Sequence, residues 1–321
     1  MSKEKERFFT PRHNRIKNTP GDKVFVFISN FIVLLIAFLC FYPFYYIVIN
    51  SIVTLEAARQ GVYIFPMPGQ FFFDTYVSVI KKGDVTRGMM VSGLRVLVGV
   101  STNVVFSSMF AYLVSRPQLP FRKVIYRYMI ISMYVGGGLI PWFLLMRSLG
   151  LINNFAVYWV PGMLSVWNAI MVKTYMENAI GIEMEESARI DGAGFIRIFF
   201  QIMMPLSKPI LATIALWGAV GTWNTYFDNY ILVSNPKLQT VQMELFNYVR
   251  QAEQMQRTMQ SIARMGTGAT QSEFRDNIRL NMTANNIRNV TTIIAIAPIM
   301  VIYPFLQKYF ARGIMMGAIK G

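Results

Sequence analysis

A chain of 321 residues, 54% of them apolar, with a mean hydropathy of +0.39, holds more unbroken apolar sequence than one soluble core can hide. The net charge of +15 would suit nucleic acid in a soluble protein, but here the bases flank apolar runs of membrane-spanning length. That arrangement points to anionic lipid and away from nucleic acid. One cysteine, Cys40, and one histidine, His13, exclude a disulfide framework and a metal cluster.

Residues 1–23 form a basic tail, with Lys3, Lys5, Arg7, Arg12, Arg15, Lys17 and Lys23. The apolar run that follows is too long for a signal peptide and lacks a small-residue cleavage pattern, so it reads as an uncleaved first span. Six spans are expected, at about 24–50, 88–115, 124–146, 155–175, 209–233 and 290–310. They make an all-α integral membrane domain over 24–310, followed by a tail at 311–321. The short loops settle the orientation. Arg116, Arg122, Lys123 and Arg127 crowd the second turn, whereas the turn at 147–154 carries Arg147 alone. Positive charge stays inside, so both termini are expected in the cytoplasm.

In the second span Ser101, Thr102, Ser107, Ser108 and Ala111 permit close helix approach. The third contains Gly136, Gly137, Gly138 and Pro141, which predict a bend or break in its outer third. A functional hinge and the ordinary abundance of glycine and proline in membrane helices both account for them. Arg95 lies about two turns inside the second span, where its side chain can snorkel to the interface.

Between the fourth and fifth spans lies the loop 183–208, the long polar-to-amphipathic stretch on the inner side. Glu185 and Arg189 are spaced to pair one helical turn apart. Gly192 and Gly194 break the run. Phe195, Ile198, Phe199 and Ile202 then place four bulky side chains on one face, and Pro205 and Pro209 are expected to end that helix. The loop therefore reads as two short helices around a glycine bend, presenting a knuckle to a partner.

The outer half of the fifth span is aromatic and polar. Trp223, Tyr226 and Tyr230 recur at i, i+3, i+7, with Asn224 and Asp228 at i, i+4 on the neighbouring face. Flat rings beside amide and carboxylate groups suit a sugar, and an interfacial aromatic belt explains the same residues. The external insertion 234–289 is polar, with a helix expected over 241–264 carrying Met243, Phe246, Val249 (or Arg250) and Met255 on one side, then a glycine-threonine linker at 265–270. A lid, a docking surface and a variable loop all fit it. Two Asn-x-Thr triplets, at Asn281 and Asn289, are discounted as glycosylation sites in a prokaryotic membrane protein.

Gly-Lys never occurs as a dipeptide, so no Walker A loop can cradle ATP phosphates, and no nucleophile–base set or paired carboxylates occur. The spans hold no chain of carboxylates or histidines for proton coupling, which counts against self-powered transport.

The stretch Glu186-Ser-Ala-Arg-Ile-Asp-Gly-Ala193, closed by Met204-Pro-Leu206, resembles the E-A-A signature of ABC importer permeases, with Ser187 replacing the first Ala and Met204 the Leu. The Asp-Gly-Ala form resembles the carbohydrate branch. Arg116-Pro-Gln-Leu-Pro-Phe-Arg-Lys123, Gly136-Gly-Gly-Leu-Ile-Pro141, Trp223-Asn224 and the ending Gly313 to Gly321 are similar to the second permease of polysaccharide-type, maltose-permease-like importers. The resemblance runs from about residue 20 to the end, apart from an external insertion longer than usual.

It implies the type I ABC importer permease fold and a set of partners. These are a second permease subunit forming a heterodimer, two ATPase subunits carrying the ATP and Mg that this chain does not bind, and an extracytoplasmic sugar-binding protein delivering an oligosaccharide. It implies that the loop is a cytoplasmic coupling helix whose ATPase-coupling residues are Glu185, Glu186, Ala188, Arg189, Asp191, Gly192, Ala193, Phe195 and Phe199. Glu186 and Arg189 would make polar contacts at the rim of the ATPase cleft, Gly192 would allow the bend, and Phe195 and Phe199 would anchor the loop to its own bundle. The C-terminal tail would reach the ATPase interface, and the binding protein would dock near 51–85 and 234–289. Trp223, Asn224, Tyr226, Asp228 and Tyr230 would line the substrate path. A non-sugar ABC permease and a six-span secondary carrier are the competing readings.

Overall fold

The computed structural model describes residues 20–52, 73–180, 182–265 and 285–303. The basic tail up to residue 19, most of the first external stretch, the glycine-threonine linker, Asn281 and the C-terminal tail lie outside the described residues. Every regular element among the described residues is helical.

Helix α1 (Pro20–Ile52) exposes apolar side chains from Val24 to Phe44, a surface suited to hydrocarbon. At its end Ser51 Oγ lies 2.6 Å from the Tyr76 hydroxyl on α2 (Asp74–Lys82). Helix α3 (Asp84–Ser115) is the axis of the fold. It runs about 48 Å at 1.5 Å per residue and packs on α6 (Val166–Ala179), α9 (Lys208–Asn224) and α11 (Val241–Met265). Small residues make these approaches possible. Ser107, Ser108 and Ala111 are fully buried, and Ser107 Oγ accepts the backbone N–H of Ser165 at 3.0 Å. A methyl group on Gly88 would lie 3.0 Å from the backbone nitrogen of Val241, so the first turn of α3 and the start of α11 require glycine there.

The expected spans map unevenly onto these helices. The third is α4 (Arg122–Tyr134) and α5 (Leu139–Ser148), bent by 116° at residues 135–138, where Gly138 takes φ 79. The fourth departs from a continuous helix over 155–175: a 3-10 turn (Phe155–Tyr158) comes first, and the 14-residue α6 starts only where Ser165 caps the N–H of Asn168. The fifth breaks between α9 and α10 (Phe227–Leu232). The last is α12 (Asn285–Tyr303), which begins before residue 290.

Three buried clusters follow one another along the molecule. At the end of α3, Tyr112 and Val114 pack with Met176, Ile198, Phe199, Met203 and Ile214. A middle cluster joins Val91, Met146, Tyr158 and Leu232. At the start of α3, Val79 and Val85 pack with Val241, Tyr248 and Val290. Helix α11 docks by Val241, Leu245, Tyr248 and Ala252, and of the side carrying Met243, Phe246, Val249 and Met255, Met243 is buried and Phe246 meets the rings of Tyr226 and Tyr230. Val241 and Tyr248 meet the α2–α3 corner, and Ser92 Oγ accepts the Val241 N–H at 3.0 Å.

Candidate functional site

The loop between α6 and α9 folds into α7 (Ile182–Ile190) and α8 (Phe195–Leu206). Helix α7 ends because Gly192 takes φ 79, a conformation open to glycine at little cost. The Gly192 N–H then reaches the Arg189 carbonyl at 3.0 Å and the Ala193 N–H reaches that of Ala188 at 2.9 Å, the paired bonds of a Schellman end. Helix α8 ends at Leu206, between Pro205 and Pro209, as the two prolines predict. A π-turn over Phe199–Met203 closes with Met204 N–H on the Phe199 carbonyl, so the proline enters at the start of a new turn and breaks no α bond. The chain bends by 80° at Ser207, and Pro209 lies in the first turn of α9.

The two sides of this loop differ in kind. Outward go Met184, Glu186, Ile190, Asp191 and Ile196, with Ile190 87% exposed. Inward go Glu185, Ala188, Ile198 and Phe199. Glu185, expected with the partner-facing acids, is only 3% exposed. Its carboxylate takes Arg189 Nη2 at 2.6 Å on one oxygen, as the spacing predicts, and Arg116 Nη1 at 2.6 Å on the other. The Arg116 guanidinium lies 4.7 Å from the Tyr112 ring centroid, and that ring stacks on Phe195 at 4.7 Å and Phe199 at 5.7 Å. The end of α3 therefore grips both halves of the loop, through charge on α7 and rings on α8. Arg116 and Tyr112 are the residues that sequence reading missed. Arg116 was visible as a base following a long apolar run, but nothing local named its partner 69 positions away.

At the other breaks the five aromatic and polar residues do not form one stripe, because α9 stops at Asn224. Trp223 Nε1 donates to the Ala295 carbonyl on α12 at 3.0 Å. Asn224 is exposed. Tyr226 stacks on Phe246 of α11 at 4.7 Å, and Tyr230 meets the same ring edge-on at 5.5 Å. Asp228 faces α3. There Arg95, 4% exposed, binds Asp228 Oδ2 at 2.5 Å and the Thr225 carbonyl at 3.1 Å. Arg95 does not snorkel, since the break before α10 carries a carboxylate and a free carbonyl to it. The two helix breaks meet: a pocket of ≈ 420 Å³ is lined by Gly138, Leu139 and Trp142 from one and by Thr225, Phe227 and Asp228 from the other. Gly136, Gly137 and Pro141 lie at the same break. A second, apolar cavity of ≈ 520 Å³ runs between α3, α9 and α12, from Val96 and Ala215 to Trp223 and Pro298.

An axial helix grips an amphipathic loop at one end, and two broken helices meet farther along it at a pocket. Residues 103–316 match the family described as binding-protein-dependent transport system inner membrane component. The chain belongs to this family of ABC importer permeases. The permease is 31% identical over 288 residues, 90% of its length and 95% of the other's, to the polygalacturonan/rhamnogalacturonan transport system permease protein YtcP of Bacillus subtilis. It is 33% identical over 280 residues to protein LplC of the same organism, covering 87% and 89% of the two chains. Its fold matches, at TM-score 0.78 and 27% identity, a chain of the crystal structure of a bacterial ABC transporter involved in the import of the acidic polysaccharide alginate, covering 91% of this chain and 99% of that one. The permease is a transport subunit and not an enzyme.

Proposed function

We propose that the permease carries an oligosaccharide, released from a polysaccharide, across the cell membrane for an ATP-driven importer. A second permease subunit completes the path. An external binding protein delivers the sugar, and two ATPase subunits hydrolyse the ATP, with Mg, that this chain has no loop to hold. The relatives named for polygalacturonan and alginate transport support the substrate class.

The single observation that carries the mechanism is the division of the α7–α8 loop into an outward face and a buried one. In this reading Glu186, Ile190 and Asp191 meet the ATPase, while Arg189 braces Glu185 from the rim. The Arg116–Glu185 pair and the Tyr112–Phe195–Phe199 stack pass its displacement to α3. Because α3 reaches the Arg95–Asp228 pair, a shift at the loop end alters the pocket where the two breaks meet. A packed lever transmits such a shift only if its seat is rigid. Both termini lie on the loop's side, the cytoplasm.

Reconstituting the permease with its partner permease, ATPases and binding protein in liposomes tests this. Uptake of uronic-acid or neutral oligosaccharide that requires both ATP and binding protein is expected. Equal flux with the permease alone and no ATP would identify a secondary carrier and end the proposal.

A further inference from the structure

Next to the loop, outside every contact used above, a groove of ≈ 570 Å³ is lined by Pro117, Phe121, Arg122, Lys123, Val124, Tyr126 and Lys173. We propose that it binds the headgroup of an anionic phospholipid.

The head of the groove is basic. Three bases, Arg122, Lys123 and Lys173, line the groove, and Glu177 serves two of them: it accepts from Arg122 Nη2 and, at 2.7 Å, from Lys173 Nζ. Lys173 also sits 4.7 Å from the Tyr126 ring centroid, and Arg122 Nε donates to the Val114 carbonyl at 2.7 Å. Two of the bases are thus fixed in place while positive charge remains in excess. Lys123 is exposed, with Arg127 one helical turn along α4.

The wall of the groove is apolar. From the groove, Val124, Tyr128 and Ile131 run along α4 as exposed apolar side chains. At its mouth Phe121 is 81% exposed and held at φ 57, a left-handed conformation that costs a bulky residue energy. A site basic at its head and apolar along its wall follows the order of a phospholipid, phosphate first and acyl chain after. An acidic protein segment would match the head but not the wall. The groove lies at the loop end of the bundle, since Arg122 binds the last turn of α3 and Arg116, two residues after Val114, binds Glu185. The proposal needs that end to reach a membrane surface and stands whichever subunit the loop engages.

Native mass spectrometry of the assembled importer, titrated with phosphatidylglycerol, phosphatidylcholine or inorganic phosphate, tests it. The wild type is expected to retain phosphatidylglycerol in preference to phosphatidylcholine, with no competition from inorganic phosphate. Each basic side chain near a lipid surface is worth about fivefold, so Lys123→Gln with Lys173→Gln should weaken retention about 25-fold. Lys237→Gln, at the external turn after α10, should leave it unchanged. Equal retention of both lipids, displacement by inorganic phosphate, or the double variant losing ATPase subunits while keeping its lipid would each overturn the proposal.

Discussion

Arg116 and Glu185, 69 residues apart in sequence, meet at 2.6 Å in the interior, one ending α3 and the other opening the loop. Stranding a buried charge costs about 3–5 kcal/mol, and loss of Arg116 costs less than that because Arg189 stays at 2.6 Å on the other Glu185 oxygen. Arg116→Ala should lower the thermal stability of the assembled importer and its uptake together. Replacing both, as Arg116→Met with Glu185→Leu, should recover stability, because a buried pair exchanged for apolar side chains is often neutral. Uptake per ATP hydrolysed should stay low in the double variant. Full recovery of that ratio would show that the pair only holds the fold.

The bend in the loop makes a different demand. Gly192 sits at φ 79, which costs an L-residue roughly 1–2 kcal/mol. Gly192→Ala should lower uptake while ATP hydrolysis continues, and Gly192→Asn, with a side chain that visits this region, should fall between alanine and wild type. Paired measurements of hydrolysis and uptake decide it. Alanine and asparagine variants both equal to wild type would mean that the bend is not the joint.

Arg95 and Asp228 join α3 to the break before α10. Asp228→Ala strands a buried guanidinium and should destabilise by about 3–5 kcal/mol, read as a lowered midpoint in thermal unfolding of the purified complex. Asp228→Glu should retain most of the stability but lower uptake, because the longer side chain moves the pair at the pocket wall.

Helix α11 carries a pH dependence of its own. Burial pushes the Glu244 carboxyl above its usual range and nearby Asp84 adds to it, while Arg87 and Lys82 oppose. A carboxyl raised in the folded state favours folding fully below its unfolded value, and that contribution is lost as pH rises through the folded value. Amide protection over 241–252, measured against the intrinsic exchange rate at the same pH, should therefore be greater in mild acid than at neutral pH, and Glu244→Gln should flatten the difference.

Local spacing made some of this legible. The Glu185–Arg189 pair, the glycine stop at 192 and the apolar face of α8 follow from helical period and backbone preference, which neighbours in sequence determine. The break at 135–138 follows from three glycines before a proline. What stayed hidden depends on contacts between distant segments. Asp228 lost its expected stripe because the helix ends at Asn224, where Arg95 takes the Thr225 carbonyl. The seat of α11 on α3 depends on Gly88 and Ser92, which nothing in the sequence of α11 itself names. Pro205 marks the end of α8 to within one residue, but the π-turn before it has no signal of its own in the sequence.

The central claim is that the exposed knuckle at Ile190 is where ATP hydrolysis enters the permease. Placing a photo-crosslinking residue at Ile190, and separately at Ile140, which is also exposed, at the start of α5, tests it most directly in the assembled importer. The account predicts a crosslink to an ATPase subunit from position 190 whose yield changes when ATP is trapped, and none from position 140. Crosslinks from 140 but not 190, or none to the ATPase from either, would contradict it.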